Sequence, residues 1–545
     1  MATIRPRIRT GIVVRVFLSS RCQHLKAHVL VDAIVRIYPC PGKNRKVAAN
    51  AGVRPWGVHA GSNNKISPAK ILRRDRNRTQ SRKRKEFSGM KQHYLSLSDD
   101  PYIFERAVLN CFDGKYRRND VLSFIEKYSG IPRHEVLLDE LVQLELKPGE
   151  SHYPKKLEIA RDVGVALEEI VQEILNGFEP EDMKPVCVRK KKDGVNGKMR
   201  DIALLCITHQ LVEHLTFNLL EPLLKAKIKS TQHASIPGHG QTALKRQVFG
   251  FLQNKSLNIA YARKTDIQGA YKNTLYSRVI IHVKRDIPSA KDIIVLLEWL
   301  RRHAPGGHLI IGGYLDAWLF NYMMSNFVEK GYTYGGYRRS KCNRYAKKIV
   351  TFMDDGLILA SSRKGLKIVC DSLSHFARDA LGLTMRFTSG ILEILSKDEE
   401  RSRKLNPYRA SKGCTAIDMG GFRIFRTHLS IRKSVFIRVR RTFTRAYKEY
   451  LNNGTIRIQR ARRLLSHYGF IVQTDSKNLM DKYHVNTLVE LAKRVVSFDS
   501  RKRRRKRLEE LYDLRERTIN NAAKYLDNGT TSRRFVPDYP YKECA

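Results

Sequence analysis

The sequence predicts an α+β protein in which helices pack on a small, mostly antiparallel sheet. Apolar residues recur at three- and four-residue spacing from Asp99 onward, which is the mark of amphipathic helices. Between residues 185 and 360 the texture changes to short apolar runs separated by turns, with long helical segments between them. Beyond residue 430 the chain is again helical, and strongly basic.

Taken in order, residues 1–89 stand apart, with 21 Lys and Arg against three acids (Asp32, Asp75 and Glu86) and little sustained periodicity. Arg73, Arg74, Arg76 and Arg78, then Arg82-Lys83-Arg84-Lys85, read as a flexible basic arm. The arm is RNA-binding, transit-like, or an extension upstream of a start at Met90; the last is the favoured expectation, because helical patterning begins shortly after Met90. Residues 90–180 form a helical N-terminal region, with helices expected over 101–113, 119–129 (starting at Asn119-Asp120) and 160–177. Within 181–430, strand-like runs at 185–188, 200–205, 257–265 and 348–360 alternate with helices at 207–226, 290–302 and 314–330. Residues 431–545 are basic and helical, and include Arg501-Lys502-Arg503-Arg504-Arg505-Lys506-Arg507.

Composition narrows the partners. A chain of 545 residues can bury a substantial core in two to four units, and 42% apolar content excludes wholesale disorder. With 102 Lys and Arg against 53 Asp and Glu, the formal net charge is +49. Such an excess repels itself unless a polyanion neutralises it, which makes nucleic acid the leading partner; a merely solvated basic surface is the alternative. The nine cysteines include no C-x-x-C pair, so neither a zinc ribbon nor a disulfide framework is indicated, and a reducing, cytoplasmic compartment fits best. No apolar run is long enough for a membrane span.

In so basic a chain, acids at the tip of an apolar run need a reason. Lys348-Ile349-Val350-Thr351-Phe352-Met353-Asp354-Asp355-Gly356-Leu357-Ile358-Leu359-Ala360 has strand-like arms flanking Asp-Asp-Gly, and Asp-Gly between such arms signals a hairpin, since Gly tolerates positive φ. Adjacent carboxylates repel, and a divalent cation removes the repulsion. In phosphoryl transfer two ions about 4 Å apart activate the attacking hydroxyl and stabilise the leaving group; Mg²⁺ suits hard oxygen ligands. A further carboxylate is available at Asp266, near the end of the strand-like run before Tyr271. Alone, Asp266 fits a helix N-cap equally well, and Asp354-Asp355 an ordinary polar turn.

Taken together these segments resemble bacterial reverse transcriptases, most closely the diversity-generating, defence-associated or unassigned groups. Phe352-Met353-Asp354-Asp355 resembles the [Tyr/Phe]-x-Asp-Asp box, and Asp266–Tyr271 resembles the first catalytic box. The resemblance runs from about residue 180 to 480. It implies a right-hand polymerase fold, with fingers and a palm over 181–430 and a basic helical thumb and extension over 431–545. It implies a two-ion Mg²⁺ centre, with Mn²⁺ as a substitute, on Asp266, Ile267, Asp354 and Asp355, with Asp266, Asp354 and Asp355 catalytic. Lys190-Lys191-Lys192-Asp193 and Lys198-Met199-Arg200 look like a fingers hairpin, so Lys191, Lys198 and Arg200 are expected on the triphosphate. Tyr271 would discriminate deoxyribose from ribose, and Ile311 and Gly312 would lie in the nucleotide-contacting turn. The segment 233–243 looks like the Gly-rich lead-in, 417–423 like the primer-grip hairpin, and 464–469 with its basic neighbours would suit a thumb.

The expected activity is RNA-directed DNA synthesis from dNTPs on an RNA template and a DNA or RNA primer, in a mobile element, prophage or defence system. A dedicated noncoding RNA is a further expected partner. Alternatives are template-independent or self-primed synthesis, and a maturase-like RNA-binding protein with a vestigial centre. The chain departs from the family pattern at three places: Ile311 replaces a polar residue, Asp316 brings a negative charge expected near template or substrate, and Ser389 stands where a Lys is common. These departures point to error-prone or specialised synthesis.

Overall fold

The computed structural model describes residues 94–145, 154–192, 199–338, 341–405 and 416–527, all within one unit, Asp75–Ala545. The basic arm expected at 1–89 and Lys198 lie outside the described residues. The fold is mixed α+β, mainly helical, with small sheets.

The N-terminal helices are Ile103–Phe112, Asn119–Ser129, Arg133–Glu145 and Pro154–Leu175. Ile103, Ala107, Val108 and Cys111 bury one stripe of the first against Val163, Leu167 and Val171 of the fourth, as helical spacing requires. The fourth helix starts at Pro154, earlier than its apolar spacing indicated, and Arg133–Glu145 was not anticipated.

Next come β1 (Cys187–Lys192) and β2 (Met199–Leu204), an antiparallel hairpin in which Lys191 pairs with Arg200. The apolar run at 185–188 thus marks only the entry to β1, whose body is the exposed lysine stretch. The buried helix Ile207–Lys227 follows, then β3 (Gln232–His233), the helix Gln241–Gln253 and β4 (Tyr261–Ile267). β4 begins later than the apolar run at 257 because Lys255–Leu257 forms a short 3₁₀ turn. A separate hairpin, β5 (Gly335–Arg338) and β6 (Lys341–Arg344), precedes β7 (Ala346–Phe352) and β8 (Asp355–Ala360). After the helix Arg363–Leu381 come β9 (Met385–Phe387) and β10 (Leu392–Glu393).

The central sheet runs β10-β4-β8-β7-β3, with β9 also paired to β4. Every pairing is antiparallel except β3 with β7. Its strands are apolar at consecutive positions because both faces are covered. Val350, Leu357, Leu359 and Ala262 pack with Leu244, Val248 and Leu252 of Gln241–Gln253. Ile349, Ile358 and Ala360 join the other core, with Phe320 and Met324 of Tyr314–Gly331 and Leu366 and Val369 of Arg363–Leu381.

A meander of β11 (Ile417–Met419), β12 (Phe422–Ile424) and β13 (Leu429–Ile431) caps the first of these cores. Its first turn needs Gly420 and Gly421, at φ +57° and +85°. The helices Lys433–Asn453, Ile458–Val472 and Val485–Asp527 then enclose Val439, Phe443, Leu464 and Leu488. The last helix runs on, and its Leu511 and Leu514 pack against Leu141 of Arg133–Glu145. Among the described residues, no helix is long and apolar enough to cross a membrane.

The β7–β8 hairpin turns two residues earlier than the Asp-Gly signal suggested. Phe352 pairs with Asp355, so the turn residues are Met353 and Asp354, and the positive φ of +54° falls on Met353. Gly356 instead lies inside β8, opposite Thr351 on one side and Thr265 on the other. There a Cβ would strike the Thr265 hydroxyl. Gly356→Ala should therefore cost about 1–3 kcal/mol in urea unfolding. Adding Thr265→Ala to that variant should recover part of the loss in a double-mutant cycle; strict additivity would show that the collision is not the cause.

Candidate metal centre

The acids are brought together by strand register. β4 and β8 pair so that Asp266 faces Asp355, Thr265 faces Gly356 and Lys264 faces Leu357. Directly paired residues project on one face of a sheet. Asp354 occupies the adjoining turn, held where the Ile267 amide donates to its carbonyl at 3.0 Å. Met353, the turn residue of positive φ, is pinned from outside, since its amide donates to the His233 carbonyl at 3.1 Å. A non-glycine residue in that region is strained by roughly 1–3 kcal/mol, and such strain collects at functional sites.

Electrostatics single out Asp354 and Asp355. Burial, and then the charges of Asp355 and Asp266, push the Asp354 carboxyl above the usual range, against downward pulls from a backbone hydrogen bond and from Arg200. Asp355 is raised by burial and by Asp266, with Lys264 and Arg432 opposing. Crowded, partly buried carboxylates of this kind gain from a cation. In donor type and strand placement the three acids suit hard divalent ions. Ile267 has a hydrocarbon side chain, buried here, so only its main-chain carbonyl could serve as a ligand. Yet among the described residues no group of three or more His, Cys, Asp or Glu side chains stands arranged to hold a metal ion. The Asp266 carboxylate is engaged elsewhere: its Oδ2 accepts from Arg386 Nη2 at 2.7 Å.

The remaining expected residues fall around these acids in part. Arg200 of β2 is near enough to influence Asp354, and Lys191 lies opposite Arg200 across the hairpin, exposed to solvent. Tyr271, in the short helix Ala270–Asn273, stacks on Phe320 with ring centroids 5.7 Å apart. Burial, then Asp316 and Asp354, raise its hydroxyl pKa. Tyr271 and Ile311 share the wall of a cavity of about 230 Å³ with Ala203, Lys272 and Ile310. The turn that carries Ile311 docks on β2, where the Ala203 amide donates to the Ile311 carbonyl at 2.8 Å. Gly312 is required there: its φ is +129°, and a Cβ would lie 2.5 Å from the Ala203 carbonyl oxygen.

Asp316 does not face template or substrate. It is fully buried, and accepts from the Tyr276 hydroxyl at 2.7 Å. Glu213, also fully buried, accepts from the Tyr314 amide at 2.8 Å and so caps the helix Tyr314–Gly331 from another helix. Burial, then Glu213, hold Asp316 well above the ordinary carboxylate range. Sequence reasoning missed Glu213, although an acid inside the apolar stretch Leu211–Leu215 was a visible signal. Ser389, at the position where a Lys was expected, accepts from the Lys264 amide at 3.0 Å and fastens the strand edge.

No protein-family model matches the sequence, and no curated protein matches it. Among solved structures the chain is similar to an apo telomerase from Candida tropicalis truncated from its C-terminal domain, with a TM-score of 0.32 and 11% identity. That match covers 46% of this chain and 55% of the telomerase chain, so about half the length of that structure is spanned. A likeness of this size shows neither fold nor activity.

The buried pair Asp316 and Glu213 gives a pH-dependent prediction. The Asp316 pKa is raised on folding, so its stability contribution is complete below the unfolded-state carboxylate pKa and is lost as pH rises through the folded one. Asp316→Asn escapes that loss. It should be more stable than the parent at pH 8 by about 1 kcal/mol, with the gap shrinking toward pH 5 in thermal melts. A gap independent of pH would contradict the assignment.

Proposed function

We propose that the chain is an RNA-directed DNA polymerase that adds deoxynucleotides to a 3′-hydroxyl by two-metal phosphoryl transfer. The observation that carries this reading is the pairing of Asp266 with Asp355 across β4 and β8, with Asp354 in the adjoining turn. Residues 181–430 would then supply fingers and palm and 431–545 the thumb and a C-terminal extension, behind a helical N-terminal region at 90–180. Asp266, Asp354 and Asp355, with the main-chain carbonyl of Ile267, would hold two Mg²⁺ or Mn²⁺. When bound, such ions supply activation of the 3′-hydroxyl and charge neutralisation at the departing pyrophosphate.

The chain's own residues do the rest. Lys191 and Arg200, on one face of the β1–β2 hairpin, grip the triphosphate, Arg as a two-pronged donor and Lys as a point charge. The Tyr271 ring, fixed on Phe320, obstructs a ribose 2′-hydroxyl. Ile311 presents an apolar side chain to the same cavity, which offers the nucleotide no hydrogen bond there. The net charge of +49 supports nucleic acid as partner; under this reading the partners are an RNA template, a DNA or RNA primer and a dedicated noncoding RNA. The programme served is diversification, defence or element mobility, at a cytoplasmic address.

One observation favours a second reading. The ion pair between Arg386 and Asp266 suits an RNA-binding protein whose polymerase centre is vestigial. A metal-dependent incorporation assay separates the two. Under the first reading, Asp354→Asn should lower dNTP incorporation at least about a hundredfold. RNA affinity should stay within about twofold, because it rests on Lys and Arg. Undiminished incorporation would remove the catalytic assignment. Ile311→Gln should reduce nucleotide misincorporation, read by sequencing the products; unchanged fidelity would show that Ile311 does not set it.

A further inference from the structure

Asp266 is the middle member of a row. On one side β8 places Asp355 opposite it, and on the other side β9 places Arg386 opposite it. Paired residues of neighbouring strands share a face, so the row reads carboxylate, carboxylate, guanidinium across three strands. The guanidinium takes the central carboxylate: Arg386 Nη2 lies 2.7 Å from Asp266 Oδ2. The strand bearing it is well fixed. The Thr388 amide donates to the Lys264 carbonyl at 3.1 Å, and Phe387 stacks under the Arg263 guanidinium at 3.5 Å. The arginine side chain itself is 57% exposed against 19% for the aspartate. One partner is therefore anchored and the other can swing away into solvent. An ion pair that exposed is weak, and its guanidinium yields readily to a more highly charged competitor.

Resting on the reading of Asp266, Asp354 and Asp355 as a two-metal centre, we propose that Arg386 is a positioning residue for Asp266. It holds the carboxylate toward β9 until a divalent cation displaces it, and so sets the cation concentration at which the centre assembles. Charge alone does not define the role. Lys264 and Arg432 also act on the acids through space, yet neither has a hydrogen bond to Asp266 among the described contacts.

The test is a Mn²⁺ titration of the full-length chain followed by electron paramagnetic resonance, with half-saturating Mg²⁺ for dNTP incorporation as a second readout. Arg386→Gln should bind Mn²⁺ about threefold more tightly than the parent. Arg386→Lys should return most of the way to the parent value, and the difference should shrink in high salt. Lys264→Gln, which removes a nearby charge but no contact to Asp266, should have the smaller effect. Equal tightening by Lys264→Gln, or no tightening by Arg386→Gln where the parent binds Mn²⁺, would overturn the positioning role alone. Absence of Mn²⁺ binding by the parent, unaltered in Asp354→Asn, would overturn the two-metal reading and this role together.

Discussion

The pairing of β4 with β8 is the constraint on which the rest of the structure depends. A slip of one residue would send Asp266 to the opposite face of the sheet and leave Asp355 without a neighbour. Backbone hydrogen bonds join the two strands, from the Ala260 amide to the Ala360 carbonyl at one end to the Ile267 amide and Asp354 carbonyl at the other, but a slipped ladder could form as many. The register is held by two-sided packing, with Ala262, Leu357 and Leu359 committed to one core and Ile358 and Ala360 to the other. The close approach of Gly356 to Thr265 adds a steric key one step from the acids. The placement of charge at the strand ends is therefore decided by apolar volume along the strands.

Burying carboxylates is costly, and the chain answers that cost in three ways. Asp316 and Glu213, wholly enclosed, depend on a hydroxyl and a backbone amide as donors and on a raised Asp316 pKa. Asp266, nearer the surface, takes a guanidinium. Asp354 and Asp355 lack such an ion pair; Asp354 has a backbone hydrogen bond, and both keep raised pKa values with only more distant cations opposing. Acids left in that condition are the ones for which a divalent ion gives the greatest relief.

What was legible in the sequence was local. The helices at 207–226, 290–302 and 314–330 are observed within a residue or two of their expected ends, because each carries apolar residues at helical spacing over three turns or more. The hairpin arms around Asp354-Asp355 were legible for the same reason, whereas the grouping of Asp266 with them came from the family resemblance. The turn was misplaced because Gly reads as a turn former, whereas Gly356 serves a close interstrand contact and Met353 accepts the positive φ. The fate of Asp316 was hidden, since it depends on Glu213 and Tyr276, distant in sequence. The role of Arg386 was hidden as well. Its partner lies 120 residues away, and strand β9 has three residues, too few to show a period.

The helix Val485–Asp527 has 43 residues and is therefore roughly 65 Å long. It is clamped at two places, by Val485, Leu488 and Ala492 near one end and by Leu511 and Leu514 further along. The basic run 501–507 lies on the span between the clamps. Within that run Arg504 donates to the Leu144 carbonyl, so the second attachment begins inside the basic segment. The helix thus ties the C-terminal helices to Arg133–Glu145 by contacts that bypass the central sheet.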